Sequence, residues 1–314
     1  RTSYGDAVAI NDSTNTTGFA MANTATADGL RAIPSGAIID RVLVRQDLTK
    51  YFLPTVDGQI LPLPIGEAIR DGGAKRVPLL AGYNADEGTI FYPDRKSSTA
   101  LSDTISGSMA QREAMLEGVF GVNSAKALQA LYGMTSLESW DRGAEKMLGD
   151  DWFGVHTRFL AKANVAADQP TWLYHFSRTP PGKSQTLGAH HAAEIPFVFN
   201  SHSGFLPLSG DDDILTERMT SYWTNFAKTG NPNGDGLPEW PAYTPDDDIW
   251  LELDHEIKRI SRLRARKLDI LESNLNHRID AIKQSKTPLE LIENTALLST
   301  AAGLGGEERI ANSD

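Results

Sequence analysis

The sequence of 314 residues contains no cysteine, and this absence excludes several kinds of chemistry. Disulfide bonds, thiolate nucleophiles and thiolate-bound zinc all require a cysteine sulfur. Seven histidines are present, but none belongs to the H-E-x-x-H pattern in which a helix holds a catalytic zinc. We therefore expect no metal site.

Long apolar runs and an excess of positive charge are missing too. No uninterrupted apolar run approaches the roughly 20 residues that a membrane-spanning helix needs, so we expect no membrane span. The formal net charge of -11 argues against a nucleic acid as the main partner, because phosphate backbones attract lysine and arginine. The hydrophobic fraction of 40% is that of an ordinary globular protein.

Short apolar runs predict the strands of a buried sheet, over residues 76–84, 170–177 and 249–254. Apolar residues recur at helical spacing between the first two runs, over residues 100–120, 125–132 and 137–165. Long helical connections between strands imply crossovers, and crossovers imply a largely parallel α/β sheet.

Acids follow the first predicted strand, and histidines follow the second. The stretch AGYNADEG (81–88) ends in two acids and a glycine, and LGAHHAAEIPFVFN (187–200) carries two adjacent histidines. The carboxyl ends of parallel strands share one edge of a sheet, so both loops should meet there. A carboxylate and a histidine are two members of a Ser-His-acid hydrolase, and their order along the chain fits. Spacing alone leaves a solvated turn and a structural histidine open.

Several stretches resemble the type-B carboxylesterase and cholinesterase family of the α/β-hydrolase fold. They are FLPTVDGQILP (52–62), VPLLAGYNADEGTIF (77–91), GAHHAAEIPFVF (188–199), YWTNFAKTGNPNG (222–234) and WPAYT (240–244). The resemblance runs in the family's order from about Leu30 to about Leu253. It implies the C-terminal part of an α/β-hydrolase fold, a mostly parallel sheet with helices on both faces that is incomplete without an N-terminal half.

The resemblance also implies roles for individual residues. The acid of the family's D-E-G falls on Glu87 and makes Asp86 a neighbour, and the histidine of H-x-x-E-I falls on His191 and makes His190 a flanking residue. Glu87 and His191 are then the catalytic residues, and Glu194 is a residue that contacts the catalytic pair rather than the substrate. A surface turn at the two acids, a structural role for His191 and an ordinary ion pair for Glu194 stay open as alternatives.

Two aromatic residues are candidates for the wall of the substrate pocket. Trp152 and Phe153 lie in a stretch of helical spacing, where they could line the acyl pocket. Aromatic residues at helical spacing are also typical of a hydrophobic core, and the sequence leaves both interpretations open.

The family's serine has no counterpart in the sequence. No G-x-S-x-G occurs, because GKSQT (182–186) lacks the second glycine and SGSMA (106–110) lacks the spacing, and the oxyanion-hole HGGG run is absent too. We therefore expect the C-terminal part of a serine carboxylesterase, with the serine and oxyanion hole in an N-terminal half from the same gene or a separate chain. Without a nucleophile the chain alone should be inactive. The resemblance implies a small-molecule ester substrate and no cofactor.

Two other functions stay open, namely a non-catalytic cholinesterase-like adhesion or binding module and an inactive truncated gene product. The presence of both the acid and the histidine in their motifs favours descent from an enzyme. The absence of cysteine argues against the disulfide-bonded enzymes of animals and favours a bacterial protein, secreted or periplasmic.

Composition predicts four segments along the chain. Residues 1–26 are a poorly ordered lead-in rich in small polar residues, and residues 27–256 are the carboxylesterase portion. Residues 257–286 combine apolar residues at helical spacing with many lysines and arginines, which predicts an amphipathic basic helix. The apolar face of this helix packs either on the protein's own body or on a partner. Residues 287–314 form a partly disordered tail.

Overall fold

The computed structural model describes residues 28, 31–32, 34–36, 56, 58–72, 76–92, 107–179, 185–202 and 209–284. The predicted lead-in and tail lie outside these residues. Contacts divide the chain into two units, residues 1–68 with 280–294 and residues 69–279 with 295–314. All four strands described below belong to the second unit.

The described elements are helices and strands, and several helices follow one another between the first two strands. In chain order they are α1 (Ile65–Arg70), β1 (Leu79–Asn84), a 3-10 helix (Glu87–Ile90), α2 (Met109–Phe120), α3 (Val122–Tyr132), α4 (Leu137–Gly149), a π-helical turn (Asp150–Gly154), α5 (Val155–Ala166), β2 (Thr171–Phe176), α6 (Ile195–Phe199), α7 (Gly210–Thr229), β3 (Ile249–Leu253), β4 (Lys258–Ser261) and α8 (Ala265–Gln284).

The strands form one mixed sheet in the order β1-β2-β3-β4. Strand β1 runs parallel to β2, with Leu79 opposite Thr171 and Asn84 opposite Phe176, and β2 runs parallel to β3. Strand β4 is antiparallel to β3. The three predicted strands and their parallel arrangement are confirmed, and the carboxyl ends of β1, β2 and β3 therefore lie at one edge of the sheet.

Strand β2 is covered on both faces because its alternate side chains enter different core clusters. Trp172, Tyr174 and Phe176 belong to one cluster, whereas Leu173 packs in another with Tyr83 of β1. Successive side chains of a strand point to opposite faces, so this division follows from the strand itself. Near-continuous apolar strands of this kind are typical of parallel sheets buried on both sides.

The amphipathic helix predicted over 257–286 begins later than predicted. Lys258–Ser261 form strand β4, and helix α8 begins at Ala265. Apolar residues three apart suit a helix, but this segment makes its backbone hydrogen bonds to β3 instead. Arg262 and Arg264 then have φ values of 57° and 48°, left-handed values that a right-handed helix cannot contain.

From its true start, helix α8 shows the predicted apolar face. Leu268, Leu271, Leu275 and Ile279 recur three or four residues apart and are buried. They belong to the same core cluster as Leu128 of α3. The apolar face therefore packs on the protein itself, which was one of the two alternatives. Within the described parts of the chain, no helix combines the length and apolar character required to cross a membrane.

The long helical stretch predicted over 137–165 is interrupted near its middle. Helix α4 ends at Gly149, and the π-helical turn Asp150–Gly154 separates it from α5. Turns of this type are rare and occur frequently at functional sites. This one presents the side chains of Trp152 and Phe153, which are both half-buried.

Candidate active site

The acid loop, residues 84–92, begins where strand β1 ends. The chain leaves β1 at Asn84 and enters the 3-10 helix at Glu87. Glu87 is buried, with 5% of its surface exposed. A Cβ atom on Gly88 would lie 2.0 Å from the carbonyl oxygen of Glu145 in helix α4. The close approach of that helix explains why a glycine follows the two acids.

The histidine loop, residues 185–194, lies after strand β2 and returns to the acid loop. Gly188 and Ala192 have φ values of 68° and 67°, so the chain turns sharply on both sides of His191. A Cβ atom on Gly188 would lie 2.2 Å from Oδ2 of Asp86. The glycine therefore allows the two loops to come into direct contact.

Glu87 and His191 meet at this contact. Nδ1 of His191 lies 2.7 Å from Oε2 of Glu87, so the two loops meet, as the sequence predicts. The Glu87 side chain is 6% exposed and the His191 side chain 40% exposed. A carboxylate only accepts hydrogen bonds, so Nδ1 carries the shared proton and Nε2 is the basic nitrogen of the neutral ring.

Asp86 joins the same two loops through a different neighbour. Its backbone N–H donates to the carbonyl oxygen of Ala189 at 3.0 Å, and its Oδ2 accepts the backbone N–H of Ala189 at 2.9 Å. Asp86 thus holds the backbone of the histidine loop, whereas Glu87 contacts the imidazole. This division agrees with the choice of Glu87 over Asp86.

Glu194 lies behind the pair and touches Asn84. Its Oε2 accepts a hydrogen bond of 2.5 Å from the side-chain amide of Asn84. The same amide donates to the carbonyl oxygen of His190 at 2.8 Å. His190 itself turns its Nδ1 to the carbonyl oxygen of His191, at 2.8 Å. Glu194 and His190 therefore flank the pair without making the Glu87 contact.

The electrostatics of the pair are dominated by burial. Burial raises the pKa of the Glu87 carboxyl, and this effect outweighs the hydrogen bonds from the Asn84 backbone and from His191, which lower it. The nearby Glu194 raises the pKa further. A buried carboxylate whose hydrogen bonds do not offset its burial is stabilised strongly when the histidine beside it becomes positively charged.

Aromatic rings surround the exposed part of His191. The rings of Phe91 and Phe153 each lie with their centroids 5.0 Å from the imidazole centroid. Trp152 contacts Phe91, at 5.6 Å between centroids. The two predicted pocket residues thus lie on one apolar wall, Phe153 against the histidine and Trp152 one ring further away.

A partly buried ion pair connects this wall to the acid loop. Asp150, the first residue of the π-helical turn, is fully buried and accepts hydrogen bonds from Arg264 at 2.5 Å and from the Tyr132 hydroxyl at 2.7 Å. Arg264 also donates to the carbonyl oxygen of Ala85 at 3.1 Å. Because Ala85 lies two residues before Glu87, this network fixes the position of the acid and of the aromatic turn together.

Phe91 and Asn84 contact the site, although the sequence reasoning did not single them out. Phe91 lies in the same resembling stretch as Glu87, four residues after it, which places it just beyond the one-turn 3-10 helix. Asn84 is the last residue of a strand whose carboxyl end was expected to carry the site. Both lie within four residues of Glu87, so their closeness in the sequence is the signal that points to them.

Among the residues that the structure describes, no serine hydroxyl is hydrogen-bonded to His191, and Nε2 of His191 makes no hydrogen bond. In the same residues, no group of three or more potential metal ligands gathers. What the site contains is an acid–histidine pair beside an apolar wall.

The chain is similar to ester hydrolases along most of its length. The sequence model of the carboxylesterase family matches residues 7–271. The para-nitrobenzyl esterase of Bacillus subtilis (strain 168) is 33% identical over 213 residues, which cover 66% of this chain and 40% of that protein. The acylcarnitine hydrolase of Rattus norvegicus is 28% identical over 264 residues, which cover 77% and 45%. The chain spans less than half the length of these relatives.

Solved structures show the same similarity. A structure of PNB esterase aligns with a TM-score of 0.57 and 29% identity, covering 78% of this chain and 48% of that one. A thermophilic PNB esterase aligns with a TM-score of 0.56 and 28% identity, covering 79% and 49%. These proteins are α/β-hydrolases, and the mixed sheet described above is part of that fold.

Proposed function

Because this chain belongs to the carboxylesterase family, we propose that it supplies the acid and the histidine of a serine esterase that hydrolyses carboxylic esters. The observation that carries the proposal is the 2.7 Å contact between Glu87 Oε2 and His191 Nδ1. The contact lies at the carboxyl end of parallel strands, where α/β proteins bind their ligands. The nucleophilic serine belongs to a segment outside residues 1–314, since the sequence contains no G-x-S-x-G.

His191 carries the protons in this mechanism. As the serine oxygen attacks the ester carbonyl, Nε2 of His191 takes the hydroxyl proton, and the imidazolium is stabilised by the Glu87 carboxylate. Nε2 then gives the proton to the departing alkoxide, which leaves an acyl-enzyme. In the second half, His191 takes a proton from water, and the resulting hydroxide attacks the acyl carbon. The bond between that carbon and the serine oxygen breaks, the carboxylic acid leaves, and His191 returns the proton to the serine oxygen. No cofactor takes part.

The remaining parts of the reaction lie in the same external segment. Backbone N–H groups there would hold the negative oxygen of the tetrahedral intermediate, which is usually the largest single contribution to such catalysis. We propose an N-terminal half of the enzyme, from the same gene or a separate chain, as the source of both serine and oxyanion hole. The isolated chain is accordingly inactive.

The apolar wall supports a substrate with an apolar group next to the ester. Phe153 and Phe91 contact the imidazole that must reach the scissile bond, and Trp152 extends the same wall. Any ester bound within reach of His191 therefore meets these rings. Two relatives are named for para-nitrobenzyl esters and for acylcarnitines, and for this chain we propose a small-molecule ester.

The same contacts favour an enzyme over a binding module. Burying a carboxylate beside a half-exposed histidine is unfavourable for the fold, because burial raises the pKa of Glu87. An adhesion module has no use for such an arrangement. A working acid–histidine pair requires it.

The test is to restore the missing segment. The 314-residue chain is co-expressed with the part of the Bacillus para-nitrobenzyl esterase that it does not match, and hydrolysis of a nitrophenyl ester is measured. We expect activity from the complex and none from the chain alone. His191→Ala should lower kcat by about three orders of magnitude or more, and the matched variant His190→Ala by less than about tenfold.

Two outcomes would contradict the proposal. One is hydrolysis by the isolated chain that survives His191→Ala. The other is an active complex in which His190→Ala is the costly variant and His191→Ala is harmless, which would place the catalytic histidine one residue earlier.

A further inference from the structure

Asn84 makes contacts on both sides of the Glu87–His191 pair. It is the last residue of strand β1 and only 1% exposed. Its backbone N–H donates to Oε1 of Glu87 at 2.8 Å, while the other oxygen of that carboxylate, Oε2, faces His191. The strand end therefore fixes one oxygen of Glu87 and leaves the second for the histidine.

The side chain of the same residue holds the histidine loop. Its amide donates to the carbonyl oxygen of His190 at 2.8 Å and to Oε2 of Glu194 at 2.5 Å. One of these acceptors lies directly before His191 and the other three residues after it. A single amide thus binds the loop on both sides of His191.

The orientation of this amide is determined by its surroundings. Both groups that it faces are acceptors, so only the NH₂ end can point at them. The opposite end, Oδ1, is buried and has no hydrogen-bond partner within the described residues. An unpaired buried oxygen is unfavourable for stability. Its presence indicates that the two donated bonds matter more at this position than full hydrogen bonding.

We infer that Asn84 is a positioning residue, one that sets the orientation of the His191 imidazole relative to the Glu87 carboxylate. The inference rests on the proposed function of this pair. Asn84 acts through the backbone of His190 and the carboxylate of Glu194 and does not touch the substrate. Aspartate cannot replace it, because a carboxylate at this place would face a carbonyl oxygen and a second carboxylate.

The sharpest variant is therefore Asn84→Asp, which keeps the size of the side chain and removes its donors. In the 314-residue chain with isotope-labelled histidine, the Nδ1–H proton of His191 is followed by NMR and assigned by its loss in His191→Ala. We expect the Asn84→Asp variant to shift or broaden this signal. In the complemented enzyme we expect kcat to fall about 10- to 100-fold with KM changed less than about threefold, since small misplacements of catalytic groups have effects of this size.

Asn233→Asp is the matched control. The Asn233 amide donates to the carbonyl oxygen of Trp240 at 2.9 Å and its Oδ1 accepts the Trp240 backbone N–H at 2.7 Å, so the substitution disrupts a comparable loop contact at another place. It should lower the melting temperature and leave the His191 signal and kcat unchanged. A structural role alone for Asn84 would make the two variants behave alike.

Glu194→Ala keeps the inference testable if Asn84→Asp does not fold. It removes one acceptor of the Asn84 amide and leaves the bond to the His190 carbonyl, so a smaller change of the His191 signal is expected. An unchanged signal in folded Asn84→Asp or Glu194→Ala chains would overturn the inference, as would equal changes in Asn233→Asp. These signals are read from the chain without any esterase assay, so they fail or succeed independently of the proposed reaction.

Discussion

Two buried carboxylates of this protein are held in opposite ways. Asp212 is fully buried at the start of helix α7. Its carboxylate accepts hydrogen bonds from Nε and Nη2 of Arg178 at 2.6 and 3.1 Å. Its Oδ2 also accepts hydrogen bonds from the backbone N–H and the hydroxyl of Ser209, both at 2.8 Å. Burial alone would raise the pKa of Asp212, but Arg178 and Ser209 lower it to about 2. Its charge is fully compensated.

Glu87 is nearly as buried, yet its compensation is incomplete. It accepts one backbone N–H and the Nδ1 of His191, a partner that is charged only when protonated. Burial consequently raises the pKa of Glu87. The difference is what we expect if Asp212 stabilises the fold and Glu87, as proposed, stabilises a positive charge that forms on His191 during the reaction.

The positions of the two carboxylates fit these roles. Arg178 follows strand β2, and Asp212 lies in the first turn of α7, so their bond joins the two ends of the segment that contains the histidine loop. Glu87 contacts the middle of that segment at His191. The Arg178–Asp212 pair holds the two ends of the segment together, and the Glu87–His191 pair contains the histidine in its middle.

The largest expected effect is the loss of activity when Glu87 is replaced. In the complemented enzyme, Glu87→Gln should lower kcat by roughly 10⁴-fold, because an amide no longer selects the tautomer with the proton on Nδ1. The matched variant is Glu252→Gln, since the Glu252 carboxylate accepts hydrogen bonds from Ser177 and Lys258 instead of from a histidine. It should stay within about twofold of the parent. Comparable losses in both variants would contradict a special role for Glu87.

The next largest effect separates Asp212 from Glu87 by their contributions to stability. Asp212→Ala leaves the guanidinium of Arg178, which is 8% exposed, without its partner. The free energy of unfolding should fall by about 3–5 kcal/mol, as is usual when one half of a buried pair is removed. Urea unfolding of the chain measures it. The comparison fails if Asp212→Ala is neutral, or if Glu87→Gln destabilises the fold as strongly.

The smallest effect is a pair of opposite pH dependences. The pKa of Glu87 is raised in the folded protein, so the stability that Glu87 contributes is present below the ordinary pKa of 4.5 and is lost as pH rises through the folded pKa. Glu87→Gln should therefore be more stable than the parent at pH 7 and lose this advantage in acid. The pKa of Asp212 is lowered in the folded protein, so the stability that Asp212 contributes is present above the ordinary pKa of 3.8 and is lost as pH falls towards about 2. The deficit of Asp212→Asn should therefore shrink over that window. Unfolding curves at a series of pH values give both slopes, and slopes of equal sign would contradict the assignment.

Local sequence was sufficient for the parts of the site that depend on local pattern. The strands could be predicted because continuous apolar runs bounded by turn residues have few alternatives. Glu87 and His191 could be predicted because each lies in a loop that follows such a strand, inside a motif that resembles a known family. Their contact then follows from the parallel direction of β1 and β2.

Contacts that depend on register and on the path of distant segments could not be predicted. The Asn84 amide meets residues that are 106 and 110 positions away, and no local pattern reports such a distance. Strand β4 was mistaken for helix because three-residue spacing of apolar residues suits a helix until a neighbouring strand offers hydrogen bonds. The π-helical turn depends in the same way on the partly buried pair between Asp150 and Arg264, residues that lie 114 positions apart.

Labelling with a serine-reactive fluorophosphonate tests the central claim most directly, because it reports where the nucleophile lies and whether His191 activates it. The complemented enzyme is labelled, digested and analysed by mass spectrometry, with His191→Ala in parallel. The label should be found on a serine of the complementing segment and should be lost in the variant. A label on a serine within residues 1–314, or one that forms equally well without His191, would contradict the account.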